Sequence, residues 1–109
     1  MSELFSKGTI LKFNEMIDYS EGGVISKQVL KNAAGNITLF SFDEGQGLTE
    51  HTAPFDAMVQ VLEGEVEIRI GGQPNLLKAG ETIIMPANIP HALHATKAFK
   101  MLLTMIKGV

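Results

Sequence analysis

The amino-acid sequence predicts an all-β, antiparallel barrel or sandwich, and three observations carry that expectation. Short β-rich runs recur along the chain, divided by turns that hold most of its glycines and prolines. The clearest run, Val66-Glu67-Ile68-Arg69-Ile70, alternates apolar and charged residues, the period-2 pattern of a half-buried strand. The turns also leave little room for helix, which suits a closed or two-sheet antiparallel architecture. With 109 residues the chain has the length of a single domain, spanning 1–109, with one core.

The elements follow in order. Ile10, Leu11, Phe13, Met16 and Ile17 make one apolar face, as a short helix or as an edge strand with a turn, and Glu21-Gly22-Gly23 ends it. Val24 to Lys31 reads as a strand of mixed parity, as expected at a sheet edge or an intersubunit position. Ala33-Ala34-Gly35-Asn36 supplies a turn. Ile37 to Phe42 is apolar on both parities, as in a strand covered on both sides. Asp43 to Gly47 is a polar, glycine-bearing corner.

Next come Ala57, Val59 and Val61 on one parity, then Glu63-Gly64 as a two-residue turn into Val66–Ile70. That hairpin sets Val61 opposite Val66, Val59 opposite Ile68 and Ala57 opposite Ile70. The same parity, carried back across Pro54, points Ala53 and His51 inward. Gly71 to Asn75 reads as a turn, and Leu76 to Glu81 as a connector. Thr82 to Met85 is a strand stopped by Pro86. Prolines 86 and 90 cannot donate to a ladder, so a loop joins them. His91 opens a strand with Leu93 and Ala95 on its parity. Thr96 to Phe99 is a link, and Lys100 to Ile106 is a final strand, apolar almost throughout and therefore central or interfacial.

Composition removes several function classes. The net charge is −3 and the nine basic residues are scattered, which argues against a nucleic-acid surface. The absence of cysteine excludes disulfides and thiolate metal sites. The first residues show neither a basic n-region nor an apolar h-region, and no apolar run approaches the roughly 20 residues of a membrane span. A cytoplasmic protein with no membrane partner is expected. A hydrophobic fraction of 45% is high for so short a chain, and points to surface covered in a homodimer.

Two stretches resemble the cupins. Their first motif is glycine, five residues, His-x-His, three or four residues, glutamate, six residues, glycine. The chain has Gly45, His51, Ala53 at the second histidine position, Ala57 at the glutamate position, and Gly64. The second motif, glycine, five residues, Pro-x-Gly, two residues, histidine, three residues, asparagine, reads Gly80, Pro86, Asn88 for glycine, His91, and Ala95 for asparagine. The phrases Val61-Leu62-Glu63-Gly64-Glu65-Val66 and Pro90-His91-Ala92-Leu93 are similar to cupin sequences, and the likeness runs over residues 35–106. It implies a cupin-type antiparallel jelly-roll barrel of the RmlC-like kind, with a short N-terminal segment pairing across a dimer.

The resemblance also implies a site. Cupin motif residues face inward and hold a divalent metal through three histidines and one carboxylate. Here only His51 and His91 keep a donor atom, because alanine at 53 and 57 has none. Asp56, one residue from the glutamate position, is a third metal-ligand candidate if a bulge turns it inward. Fe, Mn, Ni or Zn would suit such a set. Glu50, Gln60 and His94 lie on outward parities. The expected ligand pocket is His51, Ala53, Ala57, Met58, Val59, His91 and Leu93, with Phe55 and Met58 at its mouth. Met85, Met101 and Met105 read as gap-filling core.

Two functions stand side by side. One is a small-molecule-binding cupin whose pocket histidines, His51 and His91, also serve as acid–base candidates without metal. The alternative is a metal-dependent enzyme of the dioxygenase, isomerase or lyase type with a reduced ligand set. Arg69 is the sole arginine and faces outward in this register. That disfavours a phosphosugar or dicarboxylate and leaves an apolar or neutral ligand, aromatic ones included.

Overall fold

The computed structural model describes residues 4–107, so residues 1–3 and 108–109 of the expected domain lie outside the described part. Nine strands and one turn of 3-10 helix, Phe13–Glu15, make up its regular structure. The strands are β1 (Val24–Asn32), β2 (Gly35–Phe42), β3 (Gly47–His51), β4 (Asp56–Glu63), β5 (Glu65–Ile70), β6 (Gln73–Lys78), β7 (Thr82–Met85), β8 (His91–His94) and β9 (Phe99–Ile106). They form two antiparallel sheets, ordered β1-β2-β9-β4-β7 and β3-β8-β5-β6. This is the jelly-roll architecture expected from the sequence. Among the described residues, no helix is long and apolar enough to cross a membrane.

The core lies between the sheets. Val59 on β4, Val66 and Ile68 on β5, Phe42 on β2, and Phe99 and Met101 on β9 are all fully buried. Each large apolar side chain withdrawn from water contributes about 1.5–3 kcal/mol. Phe42 and Phe99 are cross-strand partners and stack with ring centroids 4.6 Å apart. The period-2 reading therefore found the buried faces of β4 and β5 correctly.

It did not find their pairing. β4 lies between β9 and β7 in one sheet, and β5 lies between β8 and β6 in the other. Val61 and Val66 consequently lie buried in the core on strands of opposite sheets rather than side by side along a hairpin. The cause is Gly64, which has φ +83° and turns the chain from one sheet to the other. A Cβ there would come 1.9 Å from the carbonyl oxygen of Ala98 and 2.6 Å from Phe99 Cα. What reads as a two-residue hairpin turn is a corner against the start of β9.

Residues 73–78 also depart from expectation. Gln73-Pro74-Asn75 and Leu76-Leu77-Lys78 form strand β6, paired with β5 after the two-residue turn Gly71-Gly72. Pro74 is accommodated because β6 is a sheet edge, where a missing N–H breaks no outer ladder. The N-terminal segment forms the single 3-10 turn and otherwise lies on the outer face of the five-stranded sheet. Ile17 is buried there, whereas Ile10 is exposed and does not share the apolar face assigned to it. Polar side chains of the sheet reach up to the segment's backbone carbonyls. Lys27 Nζ donates to Met16 O at 2.9 Å, Ser41 Oγ to Asp18 O at 2.7 Å, and Lys100 Nζ to Asn14 O at 2.6 Å. This explains why Leu39 and Ser41 are buried on the outer face of β2 while Phe42 is buried on the inner one.

Candidate functional site

His51 ends β3 and His91 begins β8, and the two are cross-strand partners. An extra residue lies between Leu48 and His51 relative to β8, a β-bulge that brings both onto the inward side although they are three apart. His91 emerges from the Pro86–Pro90 loop. That loop is fastened to the segment leaving β3 by two bonds: Asn88 N donates to Ala53 O at 2.7 Å, and Ala87 N to Asp56 Oδ1 at 2.8 Å. Gly71 N donates to Pro90 O at 2.8 Å on the other side. Asn88 has φ +64°, a left-handed conformation that asparagine tolerates better than most residues. Asparagine at this motif position therefore preserves the backbone course that glycine would give.

The two imidazoles meet edge to face, with Nε2 atoms 3.2 Å apart and ring centroids 4.4 Å apart. Their Nδ1 atoms lie against backbone carbonyls, His51 at 2.8 Å from Thr49 O and His91 at 3.3 Å from Ile89 O. A carbonyl oxygen only accepts, so Nδ1 carries the proton wherever such a contact is a hydrogen bond. The two Nε2 atoms face each other at hydrogen-bond distance, with donor and acceptor set by the tautomers. Burial, followed by the neighbouring His51, pushes the His91 pKa below the ordinary histidine value, while the bond to Ile89 opposes the shift. The neutral form of His91 is thereby favoured.

Beneath the histidines is a cavity of about 50 Å³, bordered by Leu48, Ala53, Ala57 and Leu93 and by three methionines, Met85, Met101 and Met105. That space admits one or two waters, far less than the ~300–1,000 Å³ of pockets that enclose a drug-sized ligand. A space of this size has room for a small terminal group and none for an aromatic ring. Five of the seven residues expected from the sequence border it: His51, Ala53, Ala57, His91 and Leu93. Val59 is fully buried and does not border it. Met58 and Asp56 instead border an outer hollow with Ile84, Thr104 and Ile106. Asp56 uses its carboxylate to hold the Ala87 amide, and so does not join the histidines.

His94 pairs with Gly47 and Glu67, is exposed and stays on the outward face, and Arg69 is tied to Glu67 at 2.9 Å on the surface. No group of three or more His, Cys, Asp or Glu able to hold a metal occurs among the described residues. The three-histidine, one-carboxylate set of the resemblance therefore does not fit this chain. Sequence reasoning missed Leu48, Leu103 and the methionines as cavity residues. The signal for the last was present, since Met101, Leu103 and Met105 share the parity of buried Phe99.

A two-sheet jelly roll with a histidine cavity between its sheets defines the cupin class of small β domains. The chain belongs to the cupin domain family, whose sequence pattern matches residues 38–107. A conserved protein of unknown function from Streptococcus pyogenes is 36% identical, with a TM-score of 0.92 over 100% of this chain and 97% of its own. A cupin 2 conserved barrel domain protein from Leptotrichia buccalis is 43% identical, with a TM-score of 0.84 over 86% of this chain, which spans 46% of that longer one. A cupin superfamily protein from Desulfitobacterium hafniense is 26% identical, with a TM-score of 0.88 over 95% of both chains.

Proposed function

We propose that this cupin binds a small molecule by its terminal group, gripped between Nε2 of His51 and Nε2 of His91. The observation that supports this most directly is the convergence of the two Nε2 atoms at 3.2 Å. With both protons on Nδ1 the two lone pairs repel, and an electron-pair acceptor placed between them turns repulsion into two favourable contacts. An N–H or O–H group of a neutral ligand, or a metal ion, meets that need. The apolar remainder of the cavity favours an uncharged group over a carboxylate or phosphate.

The alternative is an enzyme. The lowered His91 pKa keeps a neutral base in the site near pH 7, which suits isomerase or lyase chemistry. A metal-dependent version, dioxygenase chemistry included, would hold its ion on His51 and His91 without Asp56. The same proposal has the chain acting as a homodimer through the outer face of the five-stranded sheet, where Ile84 and Ile106 are 61% and 66% exposed.

Nitrogen-15 NMR of the imidazoles in chelator-treated protein tests the central point. The expected result is protonated Nδ1 and unprotonated Nε2 on both rings at pH about 7.5, above the ordinary histidine range. A fragment screen on the same sample should yield hits lost in His51→Ala and His91→Ala but kept in Asp56→Asn. A fixed proton on either Nε2, or hits indifferent to both histidine variants, would refute the proposal.

A further inference from the structure

The cavity's side-chain donor atoms are of two kinds. Among the described residues, its lining side chains carry no heteroatoms besides the nitrogens of the two imidazoles and the thioether sulfurs of the methionines. Two of the methionines are placed by the sheet. Ala57 on β4 has Met85 of β7 as its cross-strand partner on one side and Met105 of β9 on the other. All three lie on the inner face and border the cavity. Neighbours of this kind hold their Cβ atoms about 4.5–5.5 Å apart. The methyl of Ala57 leaves the space between them open, and methionine, with three rotatable side-chain bonds, adapts to such space.

We infer that the cavity is a site for a soft monovalent ion, Cu(I), held by His51 Nε2, His91 Nε2 and the thioethers of Met85 and Met105. The inference rests on the reading that the histidine pair takes an electron-pair acceptor, and it names that acceptor. Three features select this ion. Thioether and imidazole donors suit Cu(I), whereas the harder divalent ions favour carboxylate and water. A ligand set with no negative charge leaves the ion's whole charge uncompensated in an apolar cavity, which penalises a dication far more than a monocation. With metal–nitrogen bonds of about 2.1 Å, nitrogens 3.2 Å apart subtend about 100° at the ion, close to the tetrahedral angle that a d¹⁰ ion accepts. A 50 Å³ cavity also has room for an ion of this size.

The test is an anaerobic titration of the purified chain with Cu(I), supplied as its acetonitrile complex, against a chromophoric Cu(I) chelator. Zn(II) is titrated in parallel. The wild type should take up a single Cu(I) per chain, and the His51→Ala/His91→Ala variant none. The Met85→Leu/Met105→Leu variant keeps volume and polarity close to the original. It should bind Cu(I) at least about tenfold more weakly, with Zn(II) binding unchanged. X-ray absorption of the copper-loaded, selenomethionine-labelled protein should show copper–selenium scattering, and needs no substitution if the double leucine variant fails to fold. Scattering from nitrogen and oxygen alone, or a leucine variant with full Cu(I) affinity, would overturn the thioether site and leave the histidine reading standing on its NMR test. Failure of the wild type to bind Cu(I) would overturn it outright.

Discussion

At the scale of single residues, the chemistry of this chain comes from what stands around two histidines. Their Nδ1 atoms meet main-chain carbonyls two residues earlier in sequence, so the local backbone favours the proton on Nδ1 without any side-chain helper. The lowered His91 pKa has a consequence for stability. A histidine whose folded-state pKa lies below its unfolded value binds fewer protons when folded. Stability is then constant above the unfolded value of about 6.5 and declines as pH falls from there toward the folded value. Thermal unfolding of the metal-free protein between about pH 8 and pH 5 should show this decline, with His91→Gln flattening it. An unchanged slope in that variant would assign the acid sensitivity to other groups.

Elements explain which parts of the fold and site were legible in the sequence. Parity was legible, because inward and outward positions alternate whatever strand lies alongside. It placed Ala57, Val59, Val61, Val66 and Ile68 on buried faces. Partner choice was not, since the same Glu63-Gly64 step serves a hairpin or a change of sheet. Only the close approach of Ala98 and Phe99 decides between them. Leu48 was hidden in the same way, because a bulge inverts the parity count between it and His51. Asp56 looked like a ligand from its position in the motif, yet its carboxylate serves the Ala87 amide. The corner at Gly64 yields a direct prediction. In Gly64→Ala the new methyl meets main chain rather than a mobile side chain, and the residue must also adopt φ +83°. Left-handed strain together with a backbone clash should cost more than about 2 kcal/mol, read from urea denaturation. A loss below about 0.5 kcal/mol, the size of an ordinary surface substitution, would show that the corner yields easily.

For the whole molecule, the two faces of the five-stranded sheet have different fates. The inner face is sealed by the second sheet. The outer face is covered over β1, β2 and the start of β9 by the N-terminal segment, with Ile17 only 2% exposed beneath it. Beyond that cover the same face continues across β9, β4 and β7 as Met58, Ile84, Thr104 and Ile106, around the hollow that Asp56 also borders. Isoleucines this exposed, bordering one hollow from the two strands that flank β4, are costly to leave in water, and a two-fold axis through such a face would cover both copies with one set of contacts. Ile84 is the better probe, since it lies on the edge strand β7 and its side chain supports nothing in the core. Sedimentation velocity of the wild type should give a dimer, and Ile84→Lys a folded monomer with the thermal transition of an intact core. A wild type that sediments as a monomer, or a lysine variant that remains a dimer, would place the subunit contact elsewhere or remove it. The histidines stand on β3 and β8 of the opposite sheet, with His51 exposed there, so the monomeric variant should still bind whatever the histidines bind.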